Sequence, residues 1–408
     1  MRTALCDTPL TALSQKRPEA RRKAHRAIRI AHERYSIVPR HVYLHVPFCA
    51  RRCSYCDFSI AVRREVPVDE YLAALETELT VRFDAAPATE VETIYLGGGT
   101  PSRLGGAGVA RAVAIVQRYF PLAHGGELTI EANPEDVDSR AIDAWSAAGA
   151  NRLSLGSQSF DERVLAWMHR THDAADVERA VAAARAGGID ELSLDLIFAL
   201  PDQLQRDFRR DVERLLALRP QHVSLYGLTV EAATPLGRWV ARRDAVERPE
   251  EGYESEFLLA HDMLTAAGLD HYEVSNYARP GHRARHNSAY WAGVPYVGIG
   301  PAVHGYDGTT RRWNARAYVD WRDRVLSGVD PVEGLEQLTE ANRSAESVYL
   351  ALRNDSGLAL LPGERDVVAP WEVARWVTVG DDGRLRCTPL GWLRLDALAT
   401  ALTHGRSR

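Results

Sequence analysis

The sequence predicts an α/β protein built on an incomplete parallel (β/α)6 barrel and followed by a small α+β domain. Between Val42 and about Leu228, short β-rich runs alternate six times with longer amphipathic stretches, and parallel strands in one sheet need such helical crossovers. Polar or glycine residues follow or end the runs, at Cys49, Gly97 to Thr100, Glu131, Ser157-Gln158, Asp195 and Thr229. In a parallel barrel those ends share one face, where sites form. From about Leu335 the pattern changes, which marks off the second unit.

Residues 1–40 form a basic arm carrying Lys16, Arg17, Arg21, Arg22, Lys23, Arg26 and Arg29. Its bland reading is a solvated or partly docked helix; its functional reading is contact with anionic lipid, nucleic acid or an acidic partner. The barrel is expected over 41–270, with strands at 41–46, 93–96, 127–131, 152–156, 191–196 and 222–228. The first helix runs from Asp69, a plausible N-cap, to Phe83, because Leu72, Leu75, Leu79 and Phe83 recur at helical spacing. A helix over 250–268 precedes a sheet extension and loops (271–334) that close the barrel's open side. The last unit, 335–408, reads as a helix at 342–352, the stretch Val373 to Val379, a turn at Asp381-Asp382-Gly383 and a final helix at 391–402.

At 408 residues and 45% hydrophobic content the chain buries a core large enough for one barrel and a smaller module. No apolar stretch approaches the roughly 18 residues of a membrane span, and no signal peptide opens the chain, so a cytoplasmic protein is expected. Transient membrane association through the basic arm stays open. A net charge of −5 gives no general reason to expect nucleic-acid binding. Three of the five cysteines sit together while Cys6 and Cys387 are isolated, which is poor material for a disulfide framework.

Those three, Cys49, Cys53 and Cys56, stand as C-x3-C-x2-C within HVPFCARRCSYCDF. Three thiolates on one short loop can hold three irons of a cubane cluster and leave a fourth iron without a protein ligand. A closed zinc site completed by His45 or Asp57 is the alternative. The loop resembles the signature of the radical S-adenosylmethionine (radical SAM) superfamily. With Tyr43, His45, Pro47 and Phe48 before it and Asp57-Phe58 after it, the chain resembles the coproporphyrinogen dehydrogenase-like group, over about residues 41 to 400. The resemblance implies a 4Fe-4S cluster on Cys49, Cys53 and Cys56, S-adenosyl-L-methionine on the open iron, and a winged-helix-like C-terminal domain. The mixed charges of that domain argue against DNA binding.

Further residues follow from the same resemblance. Gly99 and Thr100, in Gly97-Gly98-Gly99-Thr100-Pro101, match a loop whose backbone binds adenosylmethionine; as a phosphate loop it lacks the Lys-Ser or Lys-Thr that would follow. Glu131, Gln158, Arg170 and Asp195 match further polar contacts, with Arg170 meeting the carboxylate. Taken alone, Glu131 also reads as a capping or ion-paired residue. Asp195 is an odd residue for a buried strand, since an ionised carboxylate there needs partners. Tyr43 matches another contact, and Thr229 stands where dehydrogenases of the group hold a second adenosylmethionine. Phe48, Tyr55 and Phe58 are expected to pack around the cluster and keep it dry.

Two activities remain. In an oxygen-independent coproporphyrinogen III dehydrogenase an adenosyl radical takes hydrogen from two propionates, which then lose carbon dioxide. In the heme-chaperone branch of the group, heme is held and passed to an acceptor protein. Dehydrogenases carry a fourth cysteine two residues after the third; here that position is Phe58, the ending of the chaperone branch. His286-Asn287-Ser288-Ala289-Tyr290-Trp291 matches a hallmark of that branch. This makes His286 the first candidate for a heme ligand and His304 the second, although a lone histidine is more often structural. Tyr290 and Trp291 either stack on porphyrin or pack in a core. Arg242-Arg243 and Arg283 to Arg285 either meet heme propionates or are exposed charge. The resemblance further implies a heme acceptor and an electron donor of flavodoxin or ferredoxin type.

Overall fold

The computed structural model describes residues 39–84 and 86–406; the basic arm and Cys6 lie outside them. The chain runs β1 (His41–Val46), β2 (Phe48–Cys49), β3 (Ala61–Val62), α1 (Val68–Phe83), β4 (Val91–Gly98), α2 (Gly105–Gln117), β5 (Leu122–Ala132), α3 (Ser139–Ala147), β6 (Arg152–Gln158), α4 (Glu162–Trp167), α5 (Ala174–Ala186), β7 (Glu191–Phe198), α6 (Phe208–Ala217) and β8 (His222–Gly227). It continues through α7 (Pro235–Ala241), α8 (Glu250–Ala266), β9 (Asp270–Glu273), β10 (Asn276–Ala278), α9 (Arg285–Trp291) and β11 (Val297–Ile299). Strands β1, β4, β5, β6, β7 and β8 pair in parallel in that order, as expected. The whole sheet reads β11-β1-β4-β5-β6-β7-β8-β10-β9.

Parallel strands covered on both faces usually read as continuous aliphatic runs. Here they alternate. Val42, Leu44 and Val46 of β1, Ile94 and Leu96 of β4, Leu128 and Ile130 of β5, and their counterparts to Leu225 of β8 are buried in the core shared with the helices. The intervening His41, Thr93, Glu127, Thr129, Arg152, Ser154, Ser193, His222 and Ser224 are buried as well. Successive side chains of a strand point to opposite faces, so the aliphatic set packs under the helices and the polar set lines the lumen. The barrel is held from outside, and its interior is left for polar chemistry.

The segment after α8 extends the sheet at both edges without joining them. The β9–β10 pair adds antiparallel to β8, and β11 adds parallel to β1, so the open side expected to be closed stays unpaired between β11 and β9. Asp69 is not the N-cap of α1. Pro67 holds that position without a side-chain cap, and Asp69 sits in the first turn, where a carboxylate meets the positive end of the helix.

Glu78 of α1 fastens β11 to the barrel. Fully buried, it accepts hydrogen bonds from Arg82 Nη1 (2.6 Å), Gly300 N (2.8 Å), Asn314 Nδ2 (2.8 Å) and Trp321 Nε1 (2.8 Å). A buried carboxylate is tolerated when its lone pairs are filled in this way.

Beyond β11, strands β12 (His304–Tyr306), β13 (Thr310–Asn314) and β14 (Val332–Gln337) form a separate sheet, with α10 (Tyr318–Leu326) between the last two. The boundary expected at 335 therefore falls inside β14. The last unit comprises α11 (Glu340–Leu352), β15 (Leu358–Ala359), α12 (Glu364–Val373), β16 (Val377–Val379), β17 (Arg384–Cys387), α13 (Pro389–Trp392) and α14 (Leu395–Arg406). Helix α11 starts on a capping box between Thr339 and Asn342. The run Val373 to Val379 divides into the end of α12 and strand β16, and the expected final helix is two pieces. Trp392 donates to Leu352 O (3.0 Å), which ties the end of this unit to its first helix.

Candidate functional site

The cysteine loop is a pinned excursion at the C-terminal end of β1. Strands β2 and β3 pair in parallel across it, and Ser54, fully buried at its centre, donates its N–H to Met168 O (3.1 Å) and accepts from Leu236 N (2.8 Å). The GGGTP turn lies against it. A Cβ on Gly99 would stand 2.7 Å from the Pro47 carbonyl, and Gly98, at φ 112°, leaves no room beside the His45 ring. Thr100 Oγ1 lies 3.4 Å from Cys49 Sγ, and Arg170 Nη1 donates to Cys53 Sγ at 3.5 Å. Burial pushes the Cys49 thiol up and the Cys56 thiol to about 12. Thiolates here need a bound cation to stay deprotonated, as metal-ligating cysteines do.

Around the cysteines the strand ends bring in the charged groups. Glu131 accepts from Tyr95 OH (2.8 Å) and Gly98 N (3.0 Å); burial raises its pKa, and these two donors oppose the rise. Asp195, hydrogen-bonded by Ser154 (3.3 Å), is pushed up to about 7 by burial first and the Glu131 charge second. Arg170 Nη2 donates to Asn133 Oδ1 (2.7 Å) and Gly156 O (3.0 Å), while its buried Nε has no partner among the described residues. Gln158 ends β6 in the left-handed region at φ 64°, its amide against Gly156. Tyr43 stacks on Tyr95 at 5.9 Å between ring centroids. Below these groups lies a cavity of about 320 Å3, counting its solvent-open part, lined by Tyr95, Glu131, Arg152, Asp195, His222 and Tyr226 among others.

The fold thus gathers Tyr43, Cys49, Cys53, Cys56, Gly99, Thr100, Glu131, Gln158, Arg170 and Asp195 at one mouth. Thr229 is exposed on the loop after β8. Phe58, 57% exposed, does not pack around the cysteines, and Phe48 belongs to the core with Tyr71 and Tyr318; only Tyr55 packs locally, against the Met168 cluster. Sequence reasoning missed Tyr95, Asn133, Arg152, Ser154, Ser193, His222, Ser224 and Tyr226. The strict alternation of polar with aliphatic residues in all six runs would have found most of them.

Asp195→Asn tests the electrostatics of the mouth. With its folded pKa raised to about 7 from the ordinary 3.8, the carboxyl destabilises the ligand-free fold increasingly as pH climbs from about 4 to about 7. The asparagine variant is expected to be more stable than the wild type at pH 8 and equal to it near pH 4, read from urea midpoints.

The opposite end is plugged. Glu127 accepts from the backbone N–H groups of Arg285 (3.0 Å) and His286 (2.9 Å), holding the start of α9 against the barrel, and Arg152 donates to His282 O (3.1 Å). His286, expected as a heme ligand, is buried there. Its Nδ1 lies 2.7 Å from Thr93 Oγ1 and its Nε2 2.9 Å from Tyr290 OH, and burial lowers its pKa to about 3. Neither ring nitrogen is presented to a surface, so the structure corrects that expectation. Trp291 packs in the core under the Arg353 guanidinium (4.5 Å). Arg283 pairs with Asp355 (2.6 Å), and Arg285 donates to Gly125 O (2.7 Å).

Residues 43–215 match the model of the Radical SAM superfamily. The chain is 39% identical over 322 residues to the heme chaperone HemW of Mycobacterium tuberculosis, covering 78% of this chain and 83% of that protein. The chain belongs to the HemW family of radical SAM proteins. Another relative, the heme chaperone HemW of Synechocystis, is 34% identical over 356 residues, covering 85% of this chain and 86% of its own length. The fold matches that of coproporphyrinogen III oxidase (HemN) from Escherichia coli, with a TM-score of 0.78 over 92% of each chain and 23% identity. That likeness speaks for the architecture alone. Membership of the radical SAM superfamily implies a 4Fe-4S cluster and S-adenosylmethionine. The mouth fits both, with three thiols on one pinned loop, N–H and O–H groups against two of the sulfurs, and an unpartnered buried guanidinium N–H. Among the described residues no helix is long and apolar enough to cross a membrane.

Proposed function

We propose that this protein is a heme chaperone of the cytoplasm: it binds heme, passes it to an acceptor protein and uses the barrel mouth for a 4Fe-4S cluster and S-adenosylmethionine. The observation that carries the reading is the convergence of Cys49, Cys53 and Cys56 with Thr100, Glu131, Arg170 and Asp195 at one end of the barrel. When bound, the cluster supplies an electron and an open iron for the amino and carboxylate groups of adenosylmethionine. Arg170 offers its free Nε–H to a carboxylate, and Glu131, fixed by Tyr95 and Gly98, offers acceptors to an amine or ribose hydroxyl. Asp195 adjusts the charge of the mouth near neutral pH. A flavodoxin or ferredoxin-type donor supplies the electron.

Heme carriage is favoured over coproporphyrinogen III oxidation by the HemW relatives and by Phe58, which stands where the dehydrogenase pattern has cysteine. The anaerobically reconstituted protein is expected to bind hemin stably and to leave coproporphyrinogen III unchanged. Formation of protoporphyrinogen IX by the purified chain would replace this reading with the dehydrogenase one.

A further inference from the structure

Beside the cysteine loop, on the outer side of the mouth, stands an aromatic group that the site described above does not use. Trp167 ends α4 and Trp239 lies in α7, with ring centroids 5.6 Å apart; the imidazole of His169 meets Trp239 edge-on at 5.5 Å. All three are partly exposed. The backbone of Ser54 bonds to Met168 on one side and to Leu236 on the other, so the same buried serine that pins the cysteine loop also pins the two segments carrying this group.

We propose that Trp167, His169 and Trp239 form a heme seat, with His169 as the axial ligand; this deepens the heme-carrying reading and rests on it. Three observations carry the assignment. The imidazole of His169 has no hydrogen-bond partner among the described residues, whereas the rings of His41, His45, His222 and His286 are each held in a hydrogen bond. A neutral imidazole with a free nitrogen is what ferric heme takes as ligand. Next, His169 sits at φ 61°, in the left-handed region that a non-glycine residue rarely adopts. Its ring lies against Trp239, while the preceding Met168 is buried in the core. Finally, the two indoles offer π faces for a porphyrin, and exposed Arg243, four residues after Trp239, makes no ion pair among the described residues and can meet a propionate. Arg242, by contrast, is engaged with Asp244 (2.8 Å).

The test titrates hemin into the full-length chain and follows the Soret band with ferric-heme electron paramagnetic resonance and resonance Raman spectra. His169→Gly is the informative variant, because glycine adopts φ 61° without strain and the fold is preserved. It is expected to bind hemin about 10-fold or more weakly and to lose the nitrogen-ligated signature, with added imidazole restoring that signature. Trp239→Leu is expected to weaken binding while keeping the axial signature, and His286→Ala to leave the spectra unchanged. Wild-type affinity and ligation in His169→Gly would overturn this seat and leave the chaperone reading standing, whereas a wild type that takes no hemin would overturn both. Unchanged heme binding with slowed reduction of the protein by flavodoxin would also overturn the seat, and would mark the patch as the electron donor's landing surface.

Discussion

Alanine in place of Cys49, Cys53 or Cys56 is expected to abolish reconstitution of the iron–sulfur cluster while leaving the fold intact. Each sulfur is the only one its residue type supplies at that corner, and no other cysteine of the described chain is near: Cys387 is buried in the C-terminal unit, between β16 and β15. Bound iron should fall from about four per chain to under about one, with loss of the cubane absorption and paramagnetic signal. The loop itself is tied by backbone bonds through Ser54, Ala61 and Arg63, none of which uses a thiol, so circular dichroism and thermal midpoint should move little. A variant that keeps its full cluster would show that the cysteine in question is not a ligand. Arg170→Met separates metal from nucleotide: it removes the donor to Cys53 and the unpartnered Nε, and adenosylmethionine affinity is expected to drop more than iron content.

Glu78→Ala is expected to have the largest effect on stability. It strips acceptors from Arg82, Gly300, Asn314 and Trp321 at once, and takes the carboxylate from beside an Arg82 side chain that is 2% exposed. Removing one partner of such a buried network costs about 3–5 kcal/mol, against a total of about 5–15 kcal/mol for a typical domain. The loss should appear as a lower urea midpoint and as detachment of β11, with Gly298 and Gly300 losing amide protection before the rest of the sheet. Glu78→Gln keeps two acceptor lone pairs and should lie between alanine and wild type; indistinguishable midpoints for all three chains would refute the role given to this carboxylate.

Much of this architecture was legible in sequence because the six runs and their crossovers carry strong periodicities, and because a cysteine, glycine turn or carboxylate at a strand end has few other reasons to be there. Glu131 and Asp195 were found in that way. His286 was misread because burial is a tertiary property: Thr93 and Glu127, which trap its ring and its backbone, lie 193 and 159 residues away. The same distance hid Glu78, whose partners on the far edge come after residue 297, so an acidic residue in a helix read as ordinary surface. Arg152 escaped notice as one arginine among many, and only its place in the alternating pattern sets it apart. The patch at His169 has no sequence signal, since Trp167 and Trp239 meet only when α4 and α7 are docked on the same serine.

With Glu127 and α9 sealing its far end, the barrel is a cup and not a tube. The lumen is then reached from the mouth or from the unpaired side between β11 and β9, and from nowhere below. Along the barrel axis, traffic into the lumen can only retrace its path.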